Sequence, residues 1–262
     1  MRSSSFDGLE ASPLAAVTTT LADPWLVVRF AARHAVASWA VVGGGMRTAE
    51  AVAWLRIRNA DLGLDVDPRA LLAERMATAG LAGAVVLLTS ASLDGFADVT
   101  RAAEGVSARC VATVGMGNAL RAGDPPGVGS TIARVGTINL LVRVSRPLSG
   151  EAMLEALALA AEARALAVRE ANIPSLRSGL PATGTGTDCI VVAAPLAPDP
   201  THSAHSADSA DARDSAESAD ADRALDSEPY AGKHTAVGHV VGAAVADAIT
   251  LGLERWREAK RK

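Results

Sequence analysis

The chain has 262 residues, 49% of them apolar but only 3% aromatic, with a formal charge of −4. That length can bury a sizeable core, and so few aromatics argue against a surface that stacks unpaired bases. The acidity is local: nine acidic and two basic residues fall within 198–229, leaving +3 for the rest, which excludes a DNA-binding surface.

Residues 1–13 have no signal-peptide core and are expected to be flexible. Three Val- and Thr-rich runs follow, Leu14–Leu21, Trp25–Phe30 and Val36–Val42, bounded by turn residues and read as strands. Arg29, Arg33 and His34 interrupt the apolar stretch Trp25–Val42, so it is not a membrane span. Gly43–Gly45 break the pattern, and Ala51–Ile57 fits a strand or a short helix. Asp67 followed by Pro68 predicts a capped helix that stops at Gly80. Gly83–Thr89, Phe96–Thr100, Ala108–Val114 and Ile138–Val144 read as further strands.

Glu151–Ala171 predicts a long helix capped by Ser149, with an apolar stripe of Leu154, Leu157, Ala161, Ala165 and Val168. Cys189–Ala194 reads as a buried strand, and a last helix starts near Thr235. Between them, 198–229 is a Ser/Ala/Asp tract too poor in apolar residues to fold, expected to be a disordered insertion. Residues 259–262 form a basic tail. Irregular alternation and short connections predict a single α+β domain over 14–258, a mixed β-sheet packed with helices. Cys110 and Cys189 belong to no CxxC pair and read as buried free thiols.

Three segments could carry chemistry. In Pro181–Asp188, Gly184 and Gly186 free the backbone for positive φ, so that N–H groups can converge on an anion. Thr183, Thr185 and Thr187 add hydroxyls there, and Asp188 a carboxylate. In Tyr230–Thr235, His234 stands at a helix N-terminus that favours the neutral, proton-accepting imidazole, and Lys233 can meet negative charge. After a strand, Gly117–Pro125 offers Asn118 as a donor and Asp124 as a polar anchor; Asn139 opens the next strand. Taken alone, turn-forming roles explain the first and third segments equally well, and a surface histidine beside a helix cap is the favoured account of the second. HExxH, paired CxxC and GxSxG are absent from the sequence.

Taken in order, Ser38–Gly45, Gly117–Pro125, Gly136–Asn139, Ala182–Asp188 and Tyr230–Gly238 resemble the adenosylcobinamide amidohydrolase family. The long helix carries Ala163-Arg164 where the resemblance leads one to expect Ala-Lys, so the charge stays and the compact ammonium does not. The resemblance implies hydrolysis of adenosylcobinamide to adenosylcobyric acid and aminopropanol in corrinoid salvage. It implies a cytoplasmic enzyme with a corrinoid small molecule as its partner and neither nucleic acid nor membrane, and it leaves a homo-oligomer open. No cofactor is required, since cobalt arrives within the substrate.

Amide hydrolysis needs a proton acceptor, a place for the oxyanion and a proton for the leaving amine. His234 is expected to move the proton, with Asp188 orienting it or activating water. The TGTGT backbone, with Asn118 or Asn139, is expected to hold the oxyanion. A nucleophilic threonine among Thr183, Thr185 and Thr187 is the variant. Two rivals stand beside this scheme: a metal held by Asp124, Asp188 and His234, and a non-catalytic corrinoid- or nucleotide-binding protein.

Overall fold

A computed structural model describes residues 17–57, 67–126, 136–197 and 227–261. The expected flexible N-terminus and most of the acidic insertion lie outside the described residues. Ten strands and three helices follow in order: β1 (Val17–Ala22), β2 (Trp25–Ser38), β3 (Gly45–Arg56), α1 (Pro68–Thr78), β4 (Val85–Thr89), β5 (Ala97–Ala103), β6 (Val106–Val114), β7 (Ala119–Leu120), β8 (Ile138–Val144), α2 (Gly150–Glu170), β9 (Gly184–Thr185), β10 (Cys189–Pro195) and α3 (Ala236–Arg261). Eight strands form one mixed sheet in the order β4-β3-β2-β10-β8-β6-β5, with β1 also paired to β2. Among the described strands of this sheet, only β3 with β4 and β8 with β10 run parallel. The domain is α+β.

β2 unites two of the expected strands. Its register slips between Arg29 and His34, where a bulge absorbs the charged stretch without ending the strand. β2 then pairs with β1 through its first half and with β10 through its second.

The sheet folds back over itself. The side-chain amide of Asn139 on β8 donates to Leu88 O on β4 at 2.6 Å, although three strands separate them in the sheet. Trp54 on β3 donates its indole N–H to Asn139 O at 3.4 Å. Three apolar layers result: α2 and α3 against the β5–β6–β8–β10 half, α1 against β3 and β4, and a middle layer holding Trp54, Val111, Leu141 and Val191.

α2 buries Ala152, Ala156, Ala160, Ala163 and Ala167, whereas Leu154 is 56% exposed. The buried face is therefore an alanine row beside the expected leucine stripe, because small side chains bring the helix close to the sheet and to α3. α3 is long and apolar enough to span a membrane, but 56% of its most apolar window is buried, and its apolarity is that of a core helix. It continues to Arg261, so the expected basic tail is its last turn, complementing the helix dipole. Residues 227–229, expected in the insertion, instead pair onto the chain before α2, with Ser149 N–H donating to Glu228 O.

His34 lies buried in the fold, stacked on Phe30 at 4.3 Å between centroids. Its Nε2 accepts from Arg143 Nε at 2.8 Å, which leaves Nδ1–H to donate to Ala32 O at 2.9 Å. Burial lowers its pKa below 6.5, and Arg143 pushes the same way. Between the lowered value and 6.5 the unfolded chain binds the extra proton. The stability is then whole above pH ~6.5 and declines as pH falls towards the folded value. The thermal midpoint is expected to drop between pH 7 and 5, and His34→Gln to flatten that drop.

Candidate active site

Asp188 opens β10 at one end of the sheet, beside the first residue of β8. Its side chain is 6% exposed. Ile138 N–H donates to Oδ1 and Thr185 N–H to Oδ2, both at 2.9 Å. Thr185 Oγ1–H also donates to Oδ1, and Arg164 from α2 pairs with Oδ2. Four donors occupy the four acceptor positions of one carboxylate. Asp188 is thus fully partnered, and of these donors Thr185 and Arg164 belong to partly exposed residues.

The glycines of the turn serve a purpose other than the expected one. Neither Gly184 nor Gly186 is among the positive-φ residues. A Cβ on Gly184 would run into Arg164 Nη1 and Asp188 Oδ2, and one on Gly186 would lie 2.8 Å from Asn118 Nδ2. Glycine here makes room for the ion pair and the carboxamide. The turn's N–H groups are also engaged: Thr183 donates to Leu120 O, Thr185 to Asp188, and Gly186 to Asn118 O. The expected backbone oxyanion nest is therefore not formed.

The three threonines differ in role. Thr183 Oγ1 accepts from Ala122 N–H at 2.9 Å and pins the turn to the preceding loop. Thr187 is exposed and its hydroxyl donates to Gly136 O at 3.4 Å. Thr185 alone aims its hydroxyl proton at a carboxylate, the geometry of an activated nucleophile.

Of the expected polar anchors, Asn118 stays open: it is half-buried, and its carboxamide takes no hydrogen bond among the described residues. Asn139 does not stay open. It is 1% exposed, with Nδ2 on Leu88 O and Oδ1 accepting from Thr137, so it ties β8 to β4 and cannot reach a substrate. Asp124 is likewise engaged, by Ser175 Oγ–H and Arg121 N–H. Ser175, then Ser178, hold its carboxyl below the usual value, and it serves to brace two turns.

His234 and Lys233 lie elsewhere. Tyr230 and Thr235 border the same hollow as Val106, the first residue of β6. Val114, at the other end of β6, pairs with Ile138 beside Asp188. Eight residues of strand separate these ends, about 26 Å. α2 repeats the separation. Glu155 accepts from Ala231 N–H and Glu162 pairs with Lys233, whereas Arg164 faces Asp188. Glu155 and Glu162 lie nine and two residues before Arg164, each about half a turn away around the helix, which puts both on the face opposite Arg164. The expected pairing of Asp188 with His234 is not assembled, nor is a metal site from Asp124, Asp188 and His234.

The Tyr230–Gly238 segment has a local explanation. Thr235 Oγ1 accepts from Gly238 N–H at 2.9 Å as a cap for α3, and a Cβ on Gly238 would strike Gly232 O. Cys189, next to Asp188, is a buried thiol that burial pushes up to about 11, so it is not a thiolate at neutral pH.

The sequence reading missed Arg164 as the partner of Asp188 and the position of Trp39. The indole N–H of Trp39 donates to Asp188 O at 2.8 Å. A charged residue on the core-facing side of a helix was the available signal for Arg164, and its partner was not legible.

A hydroxyl directed at a clamped carboxylate, with an open carboxamide beside it, defines a protein equipped for acyl transfer from an amide or ester. Residues 10–208, about three quarters of the chain, match the family described as adenosylcobinamide amidohydrolase, and the chain belongs to that family. It is an amidohydrolase. Among solved structures, a Burkholderia sp. beta-aminopeptidase is 14% identical with a TM-score of 0.41, covering 88% of this chain and 79% of its own. The PH0078 protein from Pyrococcus horikoshii OT3 is 11% identical with a TM-score of 0.45, covering 92% and 83%. At these values neither likeness bears on the chemistry. No curated protein matches the sequence.

Proposed function

We propose that this protein hydrolyses the amide joining aminopropanol to adenosylcobinamide, releasing adenosylcobyric acid and aminopropanol in cytoplasmic corrinoid salvage. The observation that carries the reading is the family match, whose span includes Asn118, Arg164, Thr185 and Asp188 and leaves out His234.

Thr185 Oγ1 attacks the amide carbonyl carbon as Asp188 Oδ1 takes its proton. Asn118 Nδ2 donates to the carbonyl oxygen as it becomes negative. Collapse breaks the C–N bond, and Asp188 returns the proton to the departing amine. Aminopropanol leaves, and an ester remains on Thr185. Water then attacks the ester while Asp188 takes one of its protons and passes it back to Thr185 Oγ1. Arg164 and the two backbone donors hold Asp188 in place throughout. This route needs no protein-bound cofactor, and the cobalt travels with the substrate.

Incubation of the protein with adenosylcobinamide, followed by mass analysis, is expected to show aminopropanol and adenosylcobyric acid in equal amounts. Asn118→Ala is expected to slow turnover about 10²-fold, as the loss of an oxyanion donor does, while His234→Ala stays within about twofold. Corrinoid binding without aminopropanol release would replace this reading with a non-catalytic one.

A further inference from the structure

Trp39 is the most exposed of the four tryptophans, at 49%, and its indole N–H bonds the backbone of Asp188, the partner of the candidate nucleophile Thr185. Trp54 is fully buried, Trp25 is partly buried against the α1 layer, and Trp256 lies partly buried under Lys260. Val41, two residues on, is also 49% exposed, while Ala40 between them is buried. An alternating segment that turns its two large apolar side chains outward is not explained by the core.

The segment is built to hold them there. Val86 N–H donates to Val42 O at 3.1 Å. Gly43 has φ +75° and passes so close to Ala84 and Val85 that a Cβ would lie 3.0 Å from Ala84 O. A Cβ on Gly44 would strike Ala40 O, so the loop is tightly wound. At the other end, the indole N–H is anchored on the carbonyl of Asp188. An aromatic with its polar handle fixed and a face open presents a rigid flat surface at little conformational cost. Thr187 and Gly186 are exposed on the next residues of the same chain.

The geometry points to Trp39, with Val41 beside it, as the platform on which the flat macrocycle of the corrinoid rests, placing a peripheral side-chain amide over Thr185. This rests on the proposed function and adds a substrate-seating subsite to it. A macrocycle is broad and planar, and a rigid exposed indole suits it better than an enclosed pocket does.

The test uses the full chain and adenosylcobyric acid, the product, which keeps the macrocycle and lacks the scissile amide. Titration calorimetry is expected to show Trp39→Ala binding it roughly tenfold more weakly, the scale of losing one stacking aromatic, with KM for adenosylcobinamide rising more than kcat falls. Trp39→Phe keeps a ring but loses the bond to Asp188 O, and it is expected to bind nearly as the wild type does. Val41→Asp probes the same platform through an exposed side chain, should Trp39→Ala fail to fold, and is expected to weaken binding severalfold.

Affinity of Trp39→Ala within twofold of wild type overturns the platform. So does a Trp39→Phe as weak as Trp39→Ala, since the bond to Asp188 would then be what matters. A dimer dispersed by Trp39→Ala with corrinoid affinity unchanged makes the patch a contact between copies, and the proposal falls. Hydrolysis by a wild-type protein that does not bind the product overturns the platform alone. Neither binding nor hydrolysis overturns the functional reading and the platform with it.

Discussion

Thr185→Ala is expected to lower turnover of adenosylcobinamide by roughly 10⁴-fold or more, the scale seen when a covalent nucleophile is removed. Thr185→Ser should keep activity within about tenfold, because serine presents the same oxygen from the same Cβ with freer χ1. The two-step route adds a second sign: quenched protein should carry the corrinoid acyl group on Thr185, and where hydrolysis of that ester is the slower step, rapid mixing should release one equivalent of aminopropanol in a burst. The rival chemistry has Asp188 activate water directly. It predicts that Thr185→Ala opens an acceptor position at Asp188 to water and leaves much of the turnover intact. That outcome would return Thr185 to a loop-holding role.

Asp188→Ala is expected to abolish hydrolysis and to destabilise the fold by about 3–5 kcal/mol, the range for breaking a buried ion pair by removing one partner. The size follows from what remains. Arg164 is 16% exposed and its Nε already lacks a partner. Without Asp188 it keeps its charge in a poorly solvated place, and Thr185 N–H and Ile138 N–H lose their acceptor. Urea unfolding measures the stability change and aminopropanol release the activity. A shift below about 1 kcal/mol would show that the carboxylate does not organise this end of the sheet. Asp188→Asn, close in shape but uncharged, separates charge from packing: it should retain more stability than Asp188→Ala and still be inactive.

These two substitutions meet at a place that local patterning could not reveal. The threonine–glycine turn was visible as a candidate because five small residues before a carboxylate have few folding reasons. Its expected mechanism, positive φ and a backbone nest, was wrong, since glycine can be required by a neighbour's bulk as well as by its own dihedrals. The neighbour is Arg164, twenty residues upstream on a helix, and the sequence alone does not say which way that helix faces.

α2 shows the ambiguity directly. It carries one stripe rich in leucine and another of alanine, and periodicity favours the more apolar of the two. Packing chose the alanine row, because closeness to the sheet and to α3 buries more backbone and side chain than leucine at the same contact permits. That choice also set the face on which Arg164 reaches Asp188 and the opposite face on which Glu155 and Glu162 meet the Ala231–Lys233 loop. His234 was singled out by its place at a helix start. A helix start says what a histidine feels locally, and nothing about which end of a sheet it occupies.

By itself the sequence determined the α+β class, most strands and all three helices, and the family. Each of these depends on residues within one short window: alternation for strands, caps such as Asp67 and Ser149 for helices, and contiguous motifs for kinship. Only the tertiary structure decided that the sheet folds back through Asn139, that Arg164 clamps Asp188, and that the loop carrying His234 sits towards the other end of β6. Those are contacts between distant positions, set by register and by which helix face is buried, and the free energy that selects them is shared over the whole core.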